Sequence, residues 1–392
     1  NNTETIDDRT TTFELTIRVR GANRARVDGG PSLYMRDIVG RVPLVAFTPD
    51  DQRLVWGDPA VRRSFIDQAA SVLVRGYTDL LQRFTHIAKQ RAALLKQIGA
   101  QEGVSVSEEA RQMRMNGLEV WTAQFIETGL ELTRQRMAVI GMLNEYFGTI
   151  VQELSDVDQT ATLVYEPSFD ELYLTQGAEA GEQGGPERVK AAISEHFQRI
   201  YTGEVARGVN LIGPQRDDVS IELNGMPARE YSSNGESWTL ALALKMALYR
   251  LLERKAGERP IVVLDDVFAQ LDPSRRAKIM EFALRQDQVI ITVAAAGDVP
   301  ELPGDAHAHV IDVAALKLQG SGGEGTAFMP EPLPADDPFA GQLAAVQASR
   351  RTAGMHAGSD GKHKVEQSAD QSAEQVSGER EIGLTKHESA HA

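Results

Sequence analysis

The stretch that most narrows what this chain can become is 260–272, PIVVLDDVFAQLD. Ile261 to Leu264 are all aliphatic, mostly β-branched, and make a buried strand. Two carboxylates, Asp265 and Asp266, stand where that strand must end. Ligands of open α/β sheets bind at the carboxyl ends of strands. A single Asp in that place holds Mg²⁺ in many phosphoryl-transfer sites. A second acid directly after it can orient or polarise a water. The other reading is a turn or cap pair with no catalytic duty.

The surroundings of this segment have α/β character. A helix is expected from Trp238 to about Glu253 before the strand, another after Pro273, and a second strand over Val289–Val293. Short strands joined by helices imply a parallel sheet. The first of these helices follows YSSNGESW, residues 231–238. Ser233 supplies a hydroxyl, Gly235 permits close backbone approach, and a helix N-terminus presents free N–H groups and the positive end of its dipole. That combination binds phosphate. By itself a Ser-x-Gly-Glu run is more often a plain N-cap box, and only its place some thirty residues before the Asp pair favours the phosphate reading.

Upstream, FELTIRVR at 13–20 alternates and reads as a half-buried strand. Arg18 and Arg20 would share its polar face, with Arg24 and Arg26 close behind: a solvated face or a phosphate-contacting patch. Asp58 is a suitable N-cap with Pro59 at the first helical position. From there apolar residues recur at helical spacing through Ile87, with a stop at Gly99. A second helix carries Val120, Trp121, Phe125, Leu132, Val139, Leu143, Phe147 and Ile150, and the two should pack antiparallel with these aromatics in the core. A loop rich in Gly, Glu and Gln leads to a helix from Pro186 to about Tyr201. VSIEL, Asn224-Gly225 and MPAREY then read as a β-hairpin. Beyond about Leu318 the composition is that of a disordered tail.

The 392 residues contain no cysteine, which excludes disulfides, thiol nucleophiles and thiolate metal sites, and no apolar run near the length of a membrane span. His307, His309 and the tail histidines lack a ligand pattern. The net charge of −15 is wrong for a simple electrostatic DNA binder, so any nucleic-acid contact needs a local basic patch or a surface formed on dimerisation.

Taken together, Ser233-Asn234-Gly235-Glu236, Ile261 to Asp266 and Ala269-Gln270-Leu271-Asp272 resemble the signature, Walker B and D-loop of ABC ATPases. Within that class the chain resembles the RecF family. The stretch from Phe47-Thr48-Pro49-Asp50-Asp51 through Gly57-Asp58-Pro59 to Arg62-Arg63 and Ile66-Asp67 is similar to the family's F-x-P-E-D and G-x-P-x-x-R-R pattern. Gly213-Pro214-Gln215-Arg216-Asp217-Asp218 is similar to its G-P-H-R-D-D, with Gln for His. The likeness runs from about residue 13 to about 313. It implies that Asp265 coordinates Mg²⁺ and that Asp266, where most ABC proteins have Glu, positions the attacking water. It also implies that Ser233, Asn234, Gly235, Glu236 and Asp272 contact ATP held by the opposite subunit of a homodimer.

The implied fold is an α/β, ABC-ATPase-like head with an inserted helical arm and a disordered tail. Residues 1–57 would be an N-terminal remnant of the head, 58–202 the arm, 203–316 the rest of the head and 317–392 the tail. The implied function is an ATP-dependent clamp on single-stranded, gapped or junction DNA in cytoplasmic DNA repair, recombination, replication and the SOS response. It would act with RecR and RecO and have a weak DNA-stimulated ATPase. Arg62 and Arg63 are either partners of nearby acids or a phosphate clamp, and Arg216 beside its two acids is open in the same way. No G-x-x-x-x-G-K-[ST] occurs. The glutamine lobe is missing, and Ile290 to Ala294 ends without a switch His. The chain reads as truncated at its N-terminus and is expected, alone, to bind ATP poorly and hydrolyse almost none. Two other readings stand: a nucleotide-independent interaction module, and another ABC-class machine. An SMC/Rad50-like protein would need sustained heptads, and a transporter cassette the switch His.

Overall fold

The computed structural model describes residues 11–100, 107–155, 157–175, 185–295, 298, 309–311 and 313. The tail expected to be disordered, most of the Gly/Glu/Gln loop and His307 lie outside the described residues.

The first elements among the described residues form an antiparallel sheet of β1 (Phe13–Thr16), β2 (Arg24–Val27) and β3 (Leu33–Tyr34). Here the strand expected over 13–20 is corrected. Pairing ends where Thr16 meets Arg24, so 17–23 is needed as the connection, and Arg18 and Arg20 lie past the strand. The strand is not half-buried either: Leu15, Ile17 and Val19 are all exposed.

After β4 (Leu44–Phe47) come α1 (Arg53–Trp56) and α2 (Pro59–Leu73). Asp58 takes the N-cap position of α2 with Pro59 first in the helix, although the Asp58 side chain makes no capping bond. The helix expected to run on to Gly99 is two helices, because Val74 is extended and Gly76 turns left-handed at φ +81° before α3 (Tyr77–Gly99). A left-handed residue with a Cβ would cost about 1 kcal/mol or more there. Both segments keep the helical period, so periodicity alone does not show the break.

α4 (Glu108–Leu154) runs back antiparallel to α3. Moving down α3 from Arg91 to Phe84 to Tyr77, the partners on α4 are Thr122, Phe125 and Arg136 in turn. Phe125 and Phe147 are wholly buried, so these rings are core; Val120, expected among them, is 56 % exposed.

β5 (Ala161–Glu166), which the sequence reading does not anticipate, pairs along its full length with β6. Between them lies α5 (Gly185–Arg207), longer than expected. β6 (Asp218–Leu223) turns through Asn224 and Gly225, both at positive φ (53° and 75°), into β7 (Met226–Pro227). That is the two-residue hairpin the Asn-Gly pair signals. Its return strand is short because Pro227 has no N–H to extend the ladder and Ala228–Tyr231 coil into α6.

α7 (Asn234–Ala256) starts four residues before Trp238, since Ser233 and Glu236 form a reciprocal capping box. β8 (Ile261–Asp265), α8 (Pro273–Leu284) and β9 (Val289–Thr292) are the last elements among the described residues. β4, β8 and β9 form one parallel sheet in that order, with Phe47 opposite Leu264 and Asp265 opposite Thr292. Val45, Phe47, Val262 and Leu264 sink into a core that continues without a break into α4. No helix among the described residues is long and apolar enough to cross a membrane.

Candidate active site

β8 delivers Asp265 and Asp266 to the carboxyl edge of the sheet, as its sequence requires. Thr292, at the matching end of β9, donates its hydroxyl to Asp265 Oδ1 at 2.6 Å. Its carbonyl accepts the Asp266 N–H at 3.1 Å. Thr292 is thus a partner of both carboxylate residues that the sequence reading missed; its only signal is its place at the end of a neighbouring strand.

Asp266 departs from ordinary backbone geometry. Its φ is +55°, one of three positive values among described non-glycine residues. Its Oδ1 is buried and has no hydrogen-bond partner among the described residues. Both features are costly and concentrate at functional sites. A hard cation or its bound water matches such an oxygen. Among the described residues no group of three or more His, Cys, Asp or Glu is placed to hold a metal. Two carboxylates suffice for Mg²⁺, which keeps several waters and takes other ligands from phosphate. The residues present therefore fit Mg²⁺.

The second cluster gathers around the start of α7. Ser233 Oγ accepts the Glu236 N–H at 3.2 Å, and Glu236 Oε2 accepts the Ser233 N–H at 2.8 Å. The backbone N–H of Ser233, followed by its hydroxyl, holds the Glu236 carboxyl below its ordinary value of 4.5. Asn234 Oδ1 accepts from Gln52 Nε2 at 3.0 Å, and Asn234 and Ser233 themselves are exposed.

Asp272 caps α8, accepting the Arg275 N–H at 3.0 Å, and pairs with the Arg275 guanidinium. The Arg275 backbone N–H, then its side chain, holds Asp272 below its ordinary value of 3.8. Arg275 Nε reaches Thr239 Oγ1 at 3.0 Å on α7, and a Cβ on Gly235 would sit 3.0 Å from Arg275 Nη2. So Arg275, which sequence reasoning did not single out, joins the expected D-loop to the expected signature turn.

Of the candidate DNA-contacting arginines, Arg62 is corrected. It is 5 % exposed, bidentate to Asp218 at 2.7 Å on both oxygens, and bonded to the Gly57 carbonyl. It is a partner of nearby acids, committed to the fold. Arg63 is half-buried and donates to the Asp217 carbonyl at 2.7 Å. Burial, and then the charge of Arg136, pull its pKa down. Asp217 is itself buried, accepting from Thr133 Oγ1, Tyr165 OH and the Ser168 N–H. Arg216 is exposed. On β2, Arg24 and Arg26 share one face, Arg24 stacking 3.8 Å above the Tyr34 ring and Arg26 exposed; Arg18 and Arg20 are exposed in the connection.

No protein-family model matches the chain. The DNA replication and repair protein RecF of Bifidobacterium adolescentis is 59 % identical over 314 residues, covering 80 % of this chain and 74 % of that protein. RecF of Bifidobacterium longum subsp. infantis is 56 % identical over 307 residues, covering 78 % and 70 %. Two solved structures of the recombination mediator protein RecF of the RecFOR pathway, one of them with ATP, superpose with TM-scores of 0.61 and 0.59. Each is 24 % identical, and they cover 74 % and 73 % of this chain and 72 % and 71 % of their own. That likeness shows that the chain shares the α/β fold of those structures. On the identity to the bifidobacterial proteins, this chain belongs to the family of the DNA replication and repair protein RecF.

Proposed function

We propose that the chain is the signature and Walker B part of an ATP-driven clamp on DNA. Two copies would close around ATP, bind single-stranded, gapped or junction DNA in the cytoplasm, and help RecR and RecO load recombinase. The observation that carries this is the end of β8: two adjacent carboxylates, one of them in left-handed backbone with a buried oxygen that nothing among the described residues satisfies.

In this reading Asp265, steadied by Thr292, holds Mg²⁺. The ion and the nucleotide supply the transferable phosphoryl group and the neutralisation of its developing charge. Asp266 holds the attacking water through its unpartnered oxygen. Ser233, Asn234, Gly235 and Glu236 turn the first-turn N–H groups of α7 toward ATP on the other subunit, and Asp272 keeps Arg275 against Gly235. Hydrolysis resets the clamp. Residues 58–202 serve as the arm, with 1–57 and 203–316 as head and 317–392 as tail. Arg24 and Arg26, with Arg18, Arg20 and Arg63, are the proposed phosphate contacts.

Asp266→Asn tests the assignment. In protein carrying a P-loop in cis, it should leave DNA binding intact and hold an ATP-bound dimer, seen as a dimer that persists by size-exclusion chromatography. Release of DNA at the wild-type rate would sink the role of Asp266. The chain alone should bind ATP poorly; ATP turnover by it that Asp266→Asn abolishes would reject that expectation.

A further inference from the structure

We infer that Gln159 is a positioning residue that ties the signature turn to the foot of α4; this rests on the proposed role of that turn at the partner's ATP. α4 ends at Leu154, and Gln159, five residues on, is 8 % exposed. Its carboxamide is used at both ends. The oxygen accepts from Ser155 Oγ at 3.0 Å, and the nitrogen donates to Glu236 Oε1 at 2.9 Å. Glu236 spends its other oxygen on the Ser233 N–H at 2.8 Å. A line of three hydrogen bonds therefore runs from the end of α4 to the backbone of the signature turn.

A second contact meets the same place from the other side. Lys278 of α8 donates to the Leu154 carbonyl at 2.8 Å, one of the acceptors a helix end leaves without an intrahelical partner. α8 is the helix that Asp272 caps. Leu154 and Ser155 are thus joined both to the signature turn and to the helix following the D-loop, the two segments that would face the other subunit's nucleotide. The chemistry requires an amide at 159. A carboxylate there would confront Glu236, and a leucine would strand the Ser155 hydroxyl and the Glu236 Oε1 with no mate. A bond to an ionised acceptor is also among the stronger kind.

Hydrogen exchange on the full chain tests this without nucleotide, so its outcome is independent of whether the clamp reading holds. Gln159→Leu should speed exchange of the amides at 233–237 about tenfold, the scale of one hydrogen bond to a charged group, while the interior of α7 is unchanged. The reciprocal pair Gln159→Glu with Glu236→Gln restores a donor and an acceptor and should return exchange to within about twofold of wild type, a recovery that simple packing of Gln159 does not predict. Ser155→Ala, the loss of one hydroxyl, should give a smaller increase in the same amides and decides the matter if Gln159→Leu does not fold. Unchanged exchange at 233–237 in Gln159→Leu and Ser155→Ala, or no recovery in the reciprocal pair, overturns the assignment.

Discussion

The buried arginines of α3 and α4 and the end of β8 handle charge in opposite ways. On α3, Arg91 is 2 % exposed and all three of its guanidinium nitrogens are bonded, to Glu204, Asn210 and Thr122, with the Phe197 ring 4.3 Å from its centre. Arg136 is likewise buried against Asp67 and the Pro214 carbonyl. Desolvation of these charges is offset by complete pairing. At the end of β8, Asp266 keeps a buried oxygen without a partner among the described residues and sits in strained backbone. Completely paired buried charge is structural, and Arg62 belongs with it. Incompletely paired charge at a strand end is what the ligand site proposed above requires.

The hardest blow to this contrast comes from Arg91. Arg91→Ala leaves Glu204, 0 % exposed, without its cation, and should cost about 3–5 kcal/mol in urea unfolding. A loss below about 1 kcal/mol, the range of exposed pairs, would mean that water reaches the pair and that the interior between α3 and α5 is not sealed. Asp266→Gly should behave oppositely. It removes the carboxylate and relieves the positive φ, so stability should rise by up to about 1 kcal/mol. A clear loss instead would place Asp266 among the structural charges.

A smaller effect separates the turn at Ser233 to Glu236 from both. Glu236 and Asp272 are held below their ordinary values of 4.5 and 3.8. The unfolded chain therefore binds these protons first as pH falls. Their contribution is present above those ordinary values and fades as pH drops through the lower folded ones. Denaturation midpoints measured down through that window should fall less in Glu236→Gln than in wild type. Equal slopes would mean the capping box contributes nothing. The smallest change in stability belongs to the surface: Arg26→Ala should stay within about 0.5 kcal/mol. If Arg26 meets a phosphate, that variant also lowers the salt slope of DNA binding by about one.

What could be read in the sequence was local. IVVLDD announces a strand and what stands at its end, Asp58-Pro59 a helix start, and Asn224-Gly225 a turn, because each signal sits within a few consecutive residues. The break at Gly76 was also local, but the unbroken helical period on either side hid it. The pairings that assign roles were out of reach. Asp265 finds Thr292 27 positions away, Gln159 finds Glu236 77 away and Arg62 finds Asp218 156 away. No spacing rule encodes such partners; they follow only once the sheet register and helix packing are set. That is why Arg62 stayed undecided between an acid pair and a phosphate clamp, and why Arg275 passed unnoticed.

The 47 residues of α4 have a mechanical consequence. At 1.5 Å per residue the helix is about 70 Å long, and a tilt of about 5° at its foot sweeps its far end through about 6 Å. Were α4 to pivot about Leu154 and Ser155, a small shift at the proposed signature turn would become visible travel at the tip, and a load on the tip would return to the turn as a larger force over a shorter path.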